Sequence, residues 1–262
     1  MLPNGIISLT TDFGADDPYV GIMKAVIVGC FPNVRIIDLT HQVPAYQPDI
    51  AGLFLGLSCR WFPFGTVHLA VVDPAVGTDR DIILLVADAH WFLAPDNGLA
   101  DEIGRHVTIL ARRRVDTSRP ATTRVSSTFH GRDIFAPLAA SLAADEIRPE
   151  DVGPVVPELA PSSLQKPRRC GTRVEGEILL ADHFGNLLTN IPGALLGHRE
   201  AAAVQCGGHS FRVVRTYGNT TGQEPVALIN SFDLLELACP RGDAARILGL
   251  TPGEPVTVQV SG

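Results

Sequence analysis

The 262-residue sequence predicts an α/β fold with a mainly parallel sheet in its N-terminal part, followed by a small C-terminal β-barrel or β-sandwich. In the first part, apolar β-branched runs alternate with stretches of helical periodicity, which is typical of a parallel sheet covered by helices on both faces. In the last third, short strand-like segments are separated by glycine-rich turns, and helical patterns are sparse. The two patterns together predict two domains.

The proline distribution predicts where the two domains meet. Pro154, Pro157 and Pro161 lie between Pro149 and Pro167, a density that favours an extended linker over a helix or strand. We therefore expect three segments: an N-terminal α/β domain over 1–155, a linker over 156–170 and a C-terminal β domain over 171–262.

The N-terminal elements follow from local patterns in chain order. Apolar runs predict four strands, at Gly5–Thr10, Val34–Leu39, Thr66–Val72 and Ile82–Ala87. Helical spacing of apolar residues predicts three helices, at Pro18–Cys30, Pro48–Trp61 and Asp133–Ala144. Pro18 suits the first helical position, where a missing N–H costs nothing. No G-x-G-x-x-G motif follows the first strand, so an ordinary dinucleotide-binding fold is excluded.

The C-terminal elements are predicted to be short strands. Glycine-rich turns separate them, and the series contains no internal repeat or low-complexity segment. The strand-like segments are Thr172–Ala181, Ala202–Gln205, Ser210–Arg215, Val226–Ile229 and Val256–Val260.

The charge balance argues against nucleic acid as the main partner. The chain has a formal net charge of −7, whereas phosphate binding requires a basic face. Arg112, Arg113 and Arg114 form a short basic run, which we interpret as a solvated edge.

The cysteine pattern and the N-terminus favour a reducing, cytoplasmic location. Five scattered cysteines without C-x-x-C spacing predict neither a disulfide framework nor a zinc site. The N-terminus shows no basic segment followed by an apolar core, so we expect no signal peptide. The longest apolar stretch, around Val20–Phe31, contains Lys24 and is too short to span a bilayer.

The most informative motif is H-L-A-V-V-D-P-A-V-G-T-D-R at 68–80. An apolar run ends in Asp73, Pro74 and Gly77 then bend the chain, and Arg80 lies near enough for the loop to bring it to the carboxylate. Ligands of open α/β sheets bind at the carboxyl ends of the strands, where this acid is placed. The alternative is an acid that caps a turn beside a solvated arginine.

Several further motifs place polar residues at strand or helix ends. I-I-S-L-T-T-D-F-G-A-D-D-P-Y runs a strand into Asp12, Asp16 and Asp17, and T-F-H-G-R-D-I-F places His130 before a helix. A-D-H-F-G-N-L-L-T-N surrounds a glycine turn with Asp182, Asn186 and Asn190. Two more motifs are A-P-D-N-G-L at 94–99 and I-N-S-F-D-L-L-E at 229–236. Taken alone, Asp12, Asp16, Asp73 and His130 are also compatible with a metal-dependent hydrolase.

From Thr10 to about Leu250, this ordered set of motifs resembles the S-adenosylmethionine (SAM) hydroxide adenosyltransferases, the SAM hydrolases related to fluorinating and chlorinating enzymes. The resemblance implies that Asp73, Arg80 and His130 activate water at the 5′ carbon of SAM, giving adenosine and methionine without a metal or other cofactor. His130 suits proton acceptance, Asp73 suits orientation of the imidazole or of the water, and Arg80 suits stabilisation of hydroxide. The sequence leaves open which of the three finally accepts the proton.

The same resemblance implies a set of substrate-binding residues. Asp12 would accept hydrogen bonds from both ribose hydroxyls, with Tyr46 nearby. Asn186 would read the adenine edge, and Tyr217 would stack on the ring. The residues implied near the methionine end are Asp17, Asp182, Ser231 and Glu236. For the acids the alternative is capping or solvation, and for the tyrosines it is a place in the core.

Other readings and the expected assembly complete the prediction. The presence of Asp73, Arg80 and His130 disfavours a 5′-halogenase. A non-catalytic SAM- or adenosine-binding protein would not need these three residues. The resemblance implies a homotrimer whose active sites join the N-terminal domain of one subunit to the C-terminal domain of the next.

The sequence departs from the family pattern at Ala75, Asp81 and Asp233, each of which is expected to weaken binding or turnover.

Overall fold

The computed structural model describes residues 2–87, 89–118, 125–196, 201–220 and 222–260, without the side chains of residues 201 and 202. The chain divides into two compact units, Met1–Leu164 and Gln165–Gly262.

Six strands of the first unit form one sheet in the order β2-β1-β3-β5-β4-β6. The strands are β1 Ile6–Thr11, β2 Arg35–Thr40, β3 Val67–Val71, β4 Ile82–Ala87, β5 Trp91–Pro95 and β6 Ile109–Arg114. β4 alone runs against its neighbours, β5 and β6, so five strands share one direction. The prediction of a mainly parallel sheet is confirmed.

The helices of the first unit are α1 Tyr19–Cys30, α2 Pro48–Ser58, α3 Leu99–Gly104 and α4 Ala136–Ala143. A short 3-10 turn, Cys59–Trp61, follows α2, and a second one, Pro149–Asp151, follows α4. A π-helical turn, Gly131–Phe135, precedes α4. The helix predicted over Asp133–Ala144 is present as α4 together with the π-helical turn that leads into it. Within this run, Pro137 has no N–H to donate to the carbonyl four residues back. The chain instead opens a wider turn in which Ala136 N donates to Gly131 O.

The buried core of this unit explains why the central strands have apolar runs on both faces. Every residue of β3 and β5 is buried, and Ile7 and Leu9 of β1 pack with Met23 and Ile27 of α1. The sequence did not predict β5, α3 or β6. β5 has only five residues and α3 six, too few for a clear period.

The basic run at 112–114 lies on β6, at the edge of the sheet. Arg112 and Arg114 are exposed, whereas Arg113 Nη1 donates to the carbonyls of Glu150 and Gly153 at 3.1 and 2.9 Å. The run is therefore an edge strand with one arginine tied to the fold.

The second unit is a closed seven-stranded β-barrel. Its order is β14-β10-β11-β12-β13-β9-β8, and β8 pairs again with β14. The strands are β7 Arg168–Cys170, β8 Arg173–Ala181, β9 Leu187–Pro192, β10 Ala201–Cys206, β11 His209–Val213, β12 Val226–Ile229, β13 Leu234–Ala238 and β14 Pro255–Val260. β7 lies outside the ring on β8. Short helices are α5 Gly193–Leu196 and α6 Ala244–Leu248, with a 3-10 turn at Tyr217–Asn219.

Strands β7, β9 and β13 were absent from the sequence prediction. β9 and β13 are rich in leucine rather than β-branched residues, so strand propensity did not mark them. β13 pairs with both β12 and β9, and the closure of these pairings distinguishes a barrel from a sandwich.

The predicted linker, 156–170, crosses the division between the units. Its first part is held on the first unit: Ala160 N donates to Asp96 Oδ1 at 2.9 Å and Arg105 Nη1 donates to Leu164 O at 2.9 Å. The division therefore falls after Leu164.

All five cysteines lie in the described residues, and none of them forms a disulfide bond. In the parts of the chain that the structure describes, no helix is both long enough and apolar enough to cross a membrane.

Candidate active site

Asp73 and Arg80 form a two-pronged ion pair at the carboxyl end of β3. Arg80 Nε donates to both carboxylate oxygens, at 3.0 and 2.9 Å, and Nη2 also donates to Oδ2. The Arg80 and Asp73 side chains are 8% and 4% exposed. The Arg80 guanidinium also lies 5.6 Å from the centre of the Phe135 ring. The pair is thus fixed in orientation and largely shielded from water.

The direction of β4 explains how these two residues meet. β4 is antiparallel to β5, and Ile82 pairs with Pro95, so β4 starts at the edge where β3 and β5 end. The loop from Asp73 to Arg80 therefore stays at that edge. Gly77 in this loop has a φ of +81°, and a Cβ there would overlap the Ser127 carbonyl oxygen. Only glycine allows the loop to pack this closely on the segment before His130.

His130 completes the group from the start of the π-helical turn. Its Nδ1 lies 3.1 Å from Arg80 Nη2. A guanidinium only donates hydrogen bonds, so Nδ1 is the acceptor and a neutral ring carries its proton on Nε2. Burial and the Arg80 charge hold the pKa of His130 below its ordinary value, although the carboxylates of Asp73 and Asp133 oppose them. The imidazole is therefore neutral near pH 7.

Asp12 and Tyr46 lie together at the carboxyl end of the neighbouring strand. Thr11 pairs with Val71, so β1 and β3 end at the same edge of the sheet. Asp12 Oδ2 accepts a hydrogen bond from Tyr46 N at 3.0 Å. Tyr46 has a φ of +64° and is 75% exposed, an unfavourable arrangement for a large non-glycine residue. Asp17 is exposed just before α1.

In the second unit, Asp182 and Asn186 form one compact turn between β8 and β9. Asp182 Oδ1 accepts from Phe184 N and Asn186 N, both at 2.8 Å, and Oδ2 accepts from Asn186 Nδ2 at 3.1 Å. Gly185 has a φ of +82°, and a Cβ there would overlap Asp243. The turn therefore fixes the Asn186 amide with its Nδ2 already engaged and its Oδ1 available to a ligand.

Tyr217 and Glu236 form a second polar pair in this unit. The Tyr217 hydroxyl donates to Glu236 Oε1, and Asn230 Nδ2 donates to Oε2 at 3.1 Å. Glu236 is only 3% exposed, and its burial raises its pKa. Burial and the bond to Glu236 also raise the pKa of Tyr217. Asp182 adds to both pKa shifts through its charge, so Tyr217, Glu236 and Asp182 are electrostatically coupled.

Of the remaining predicted residues, Ser231 and Asn190 have different surroundings. Ser231 is exposed in the turn that follows Asn230. Asn190 lies within β9, where Oδ1 accepts from Glu177 N and Nδ2 donates to Gln165 O, both at 2.9 Å. Asn190 is therefore a structural residue of the second unit.

The three departures from the family pattern have different consequences. Ala75 does not have a positive φ, so the loop accepts it without backbone strain. Asp81 Oδ2 lies 3.9 Å from Arg114 Nη1, whereas Arg80 is paired with Asp73. Asp81 therefore does not replace Asp73 as the partner of Arg80. Asp233 has a φ of +61°, so this position does carry the conformation for which glycine is preferred.

Three residues that support the site were not identified from the sequence. Phe135 lies under the Arg80 guanidinium. Asn97 Nδ2 donates to the Val72 carbonyl at 2.9 Å and so fixes the peptide that leads into Asp73. Asn230 holds Glu236. All three belong to motifs quoted above, but only the folded chain shows which side chain each one supports.

The acids near the sheet edge do not form a metal centre with His130 in the described part of the chain. There, no group of three or more His, Cys, Asp or Glu side chains is arranged to hold a metal ion.

Comparison with known proteins gives matches across both units. The sequence models of the SAM hydroxide adenosyltransferase N-terminal and C-terminal domains match residues 7–153 and 176–257. An (R)-S-adenosyl-L-methionine hydrolase from Thermus thermophilus is 39% identical over 254 residues, covering 94% of this chain and 96% of the relative. A fluorinase from an Actinoplanes species is 27% identical over 292 residues, covering 97% of each. A crystal structure of an uncharacterized conserved protein from Thermotoga maritima has a TM-score of 0.89 at 32% identity, covering 97% of this chain and 99% of that one.

Proposed function

The chain belongs to the SAM hydroxide adenosyltransferase family, and we propose on that premise that it is an enzyme that hydrolyses SAM to adenosine and methionine. The observation that carries the proposal is the contact of Asp73, Arg80 and His130 at the carboxyl end of β3. This is the edge at which open α/β sheets bind their ligands.

The chemistry requires an activated nucleophile and no acid. A bond forms between the oxygen of water and the 5′ carbon of the ribose, and the bond from that carbon to the sulfonium sulfur breaks. Its electron pair returns to sulfur, which leaves as the neutral thioether of methionine. One proton of the attacking water must then be accepted, so the protein has to orient and deprotonate the water.

His130 accepts this proton at Nδ1, since its lowered pKa keeps the ring neutral near pH 7. Water placed between Arg80 Nη2 and His130 Nδ1 replaces the direct contact of 3.1 Å. Its oxygen then has a donor on one side and a proton acceptor on the other. Arg80 stabilises the developing hydroxide, and Asp73 holds the guanidinium plane in place.

The remaining predicted residues bind the substrate in this proposal. Asp12 accepts from the ribose hydroxyls beside Tyr46, and Asn186 reads the adenine edge with Tyr217 against the ring. The cationic methionine end is met by acids and one hydroxyl, namely Asp17, Asp182, Ser231 and Glu236. Supporting observations are the Tyr46–Asp12 bond at 3.0 Å and the shared environment of Asp182 and Glu236.

Halide transfer fits this site less well. Asp73 cancels the charge of Arg80 through a buried two-pronged contact, so the pair offers no net positive charge to a desolvated halide. The identity to the fluorinase, 27%, is also lower than the 39% identity to the SAM hydrolase.

Assembly, metal use and location are further parts of the proposal. We propose a homotrimer in which the N-terminal unit of one subunit and the C-terminal unit of the next complete each site. We also propose that catalysis needs no metal, because the sulfonium leaves without Lewis-acid assistance. The lack of disulfide bonds among the five described cysteines supports a reducing cytoplasm as its location.

One isotope experiment tests the proposed reaction. Purified protein with SAM, chelator and oxygen-18 water should give adenosine and methionine in equal amounts, with the label in the 5′ hydroxyl. Mass spectrometry measures both. An unlabelled hydroxyl would show that the attacking oxygen is not solvent, and no turnover at all would favour a non-catalytic SAM-binding protein.

The configuration at sulfur is tested with the two separated SAM epimers. The name of the Thermus relative specifies the R form, and we propose the same preference here. The R epimer should give the higher kcat/KM, and equal values would overturn this preference.

A further inference from the structure

A second ion pair, between Arg132 and a buried Asp133, lies two residues after His130. Arg132 Nε donates to Asp133 Oδ1 at 2.6 Å, and Nη2 donates to Oδ2 at 2.8 Å. The Asp133 side chain is 7% exposed and that of Arg132 is 39% exposed. Neither residue has a role in the reaction described above.

Asp133 closes the loop that carries His130. Its Oδ2 also accepts a hydrogen bond from Ser126 N at 2.8 Å, so one carboxylate joins the start of the segment to the π-helical turn after it. His130 lies inside this closed segment. A buried carboxylate with three charge-assisted or backbone donors is held firmly, so it limits where the imidazole can move.

Arg132 holds the residue on the other side of His130. Its guanidinium lies 5.3 Å from the centre of the Phe129 ring. Phe129 in turn packs edge-on against Tyr19 at 5.4 Å and Phe13 at 6.2 Å between ring centres. The Arg132–Asp133 pair therefore fixes the backbone on both sides of His130.

The pair also contributes to the charge around the imidazole. The charged groups that act on His130 are Arg80 and Asp73 from the strand-end loop and Asp133 from its own turn. Asp133 raises the pKa of His130, opposing burial and Arg80. The hydrogen bonds from Arg132 hold the pKa of Asp133 below its ordinary value, so this carboxylate is charged throughout the titration of His130.

We propose that Asp133 is a positioning residue for His130, and that Arg132 limits how much of its negative charge reaches the imidazole. The effect on turnover rests on the proposed function, but the effect on the imidazole does not.

The test is an NMR pH titration of histidine-labelled protein. The spectrum of His130→Gln identifies the His130 signal. Asp133→Asn keeps an oxygen for Ser126 N but removes the charge, so the His130 midpoint should move to lower pH. Arg132→Gln leaves the carboxylate less neutralised, so the midpoint should move to higher pH. Shifts in the same direction, or no shift in either variant, would overturn the proposal.

The exposed pair of Arg148 and Asp151 provides a matched control. It is also an arginine–aspartate ion pair, with Arg148 Nε 3.0 Å from Asp151 Oδ2, but neither residue contacts His130. Asp151→Asn should leave the His130 midpoint unchanged. If Asp151→Asn shifts the His130 midpoint as much as Asp133→Asn does, then loss of any surface charge has this effect. That result would overturn the assignment of Asp133.

Turnover gives the second readout. Asp133→Ala should lower kcat by about 10²-fold with little change in KM, the cost of misplacing a reacting group by about 1 Å. Asp133→Asn should retain more activity and shift the acidic limb of its pH profile downward. If wild-type protein fails to hydrolyse SAM, the proposed function fails while the NMR titration still decides this proposal. A rise in KM with unchanged kcat and unchanged pH limb would assign Asp133 to binding instead.

Discussion

Arg80 Nη2 lies 3.1 Å from His130 Nδ1, although fifty residues separate them in the sequence. The contact joins the loop after β3 to the π-helical turn before α4 and gives the imidazole a fixed tautomer. It also places a permanent cation against the proposed base, which affects both the reactivity and the pKa of that base.

Removing the side chain of Asp73, Arg80 or His130 should reduce turnover far more than the affinity for adenosine. His130→Ala should lower kcat by about 10²–10⁴-fold through loss of the proton acceptor. Arg80→Ala should lower it by about 10²–10³-fold through loss of the charge on the developing hydroxide. Steady-state kinetics and calorimetric adenosine binding measure the two effects. Arg114→Ala, which removes an exposed arginine, is the control and should keep wild-type turnover.

The pH dependence should show an acidic limb governed by His130. The neutral ring is the reactive form, so kcat/KM should rise as the pH rises through the pKa of His130. Burial and Arg80 hold this pKa below the ordinary value of 6.5, so the midpoint of the limb should lie below pH 6.5 and the neutral form should predominate at pH 7. A limb centred above pH 7 in the wild-type protein would contradict this assignment.

Gly77→Ala should impair catalysis through the shape of its loop. The new Cβ overlaps the Ser127 carbonyl oxygen at a φ of +81°, so the loop carrying Arg80 must move away from the segment carrying His130. We expect a loss of about 10²-fold in kcat for a displacement of about 1 Å. Gly171→Ala has similar backbone strain, at a φ of +63°, but nothing lies within 4 Å. This control should lower thermal stability without lowering kcat, and equal kcat values for both variants would refute the role of the loop.

The proposed shared site can be tested by complementation. Asp73→Ala and Asn186→Ala homotrimers should each be impaired, because each lacks one face of every site. After dissociation and random equal mixing, about a quarter of all sites regain both faces. Activity should recover toward that fraction. If native mass spectrometry shows mixed trimers but no activity returns, the site lies within one subunit.

Local patterns were sufficient where an element was long or strongly apolar. The strands Ile82–Ala87 and Val226–Ile229 have the predicted bounds, and the glycine-rich β segments did form a separate C-terminal unit. Patterns failed where pairing with distant strands, rather than composition, makes a strand. β9 and β13 are examples. Their sequences are rich in leucine, and they form strands because they pair with neighbouring strands of the barrel.

For the site, the sequence by itself determined which chemical groups are available. The motifs at 68–80 and 128–135 supply an acid, a guanidinium and an imidazole, because residue type follows directly from the sequence. Only the tertiary structure decided how these groups meet. The reversal of β4 keeps Arg80 at the edge where β3 ends, and the close packing of Gly77 on Ser127 holds the Arg80 loop against the segment that carries His130. Both depend on contacts between residues far apart in the chain, whose energy no local pattern contains.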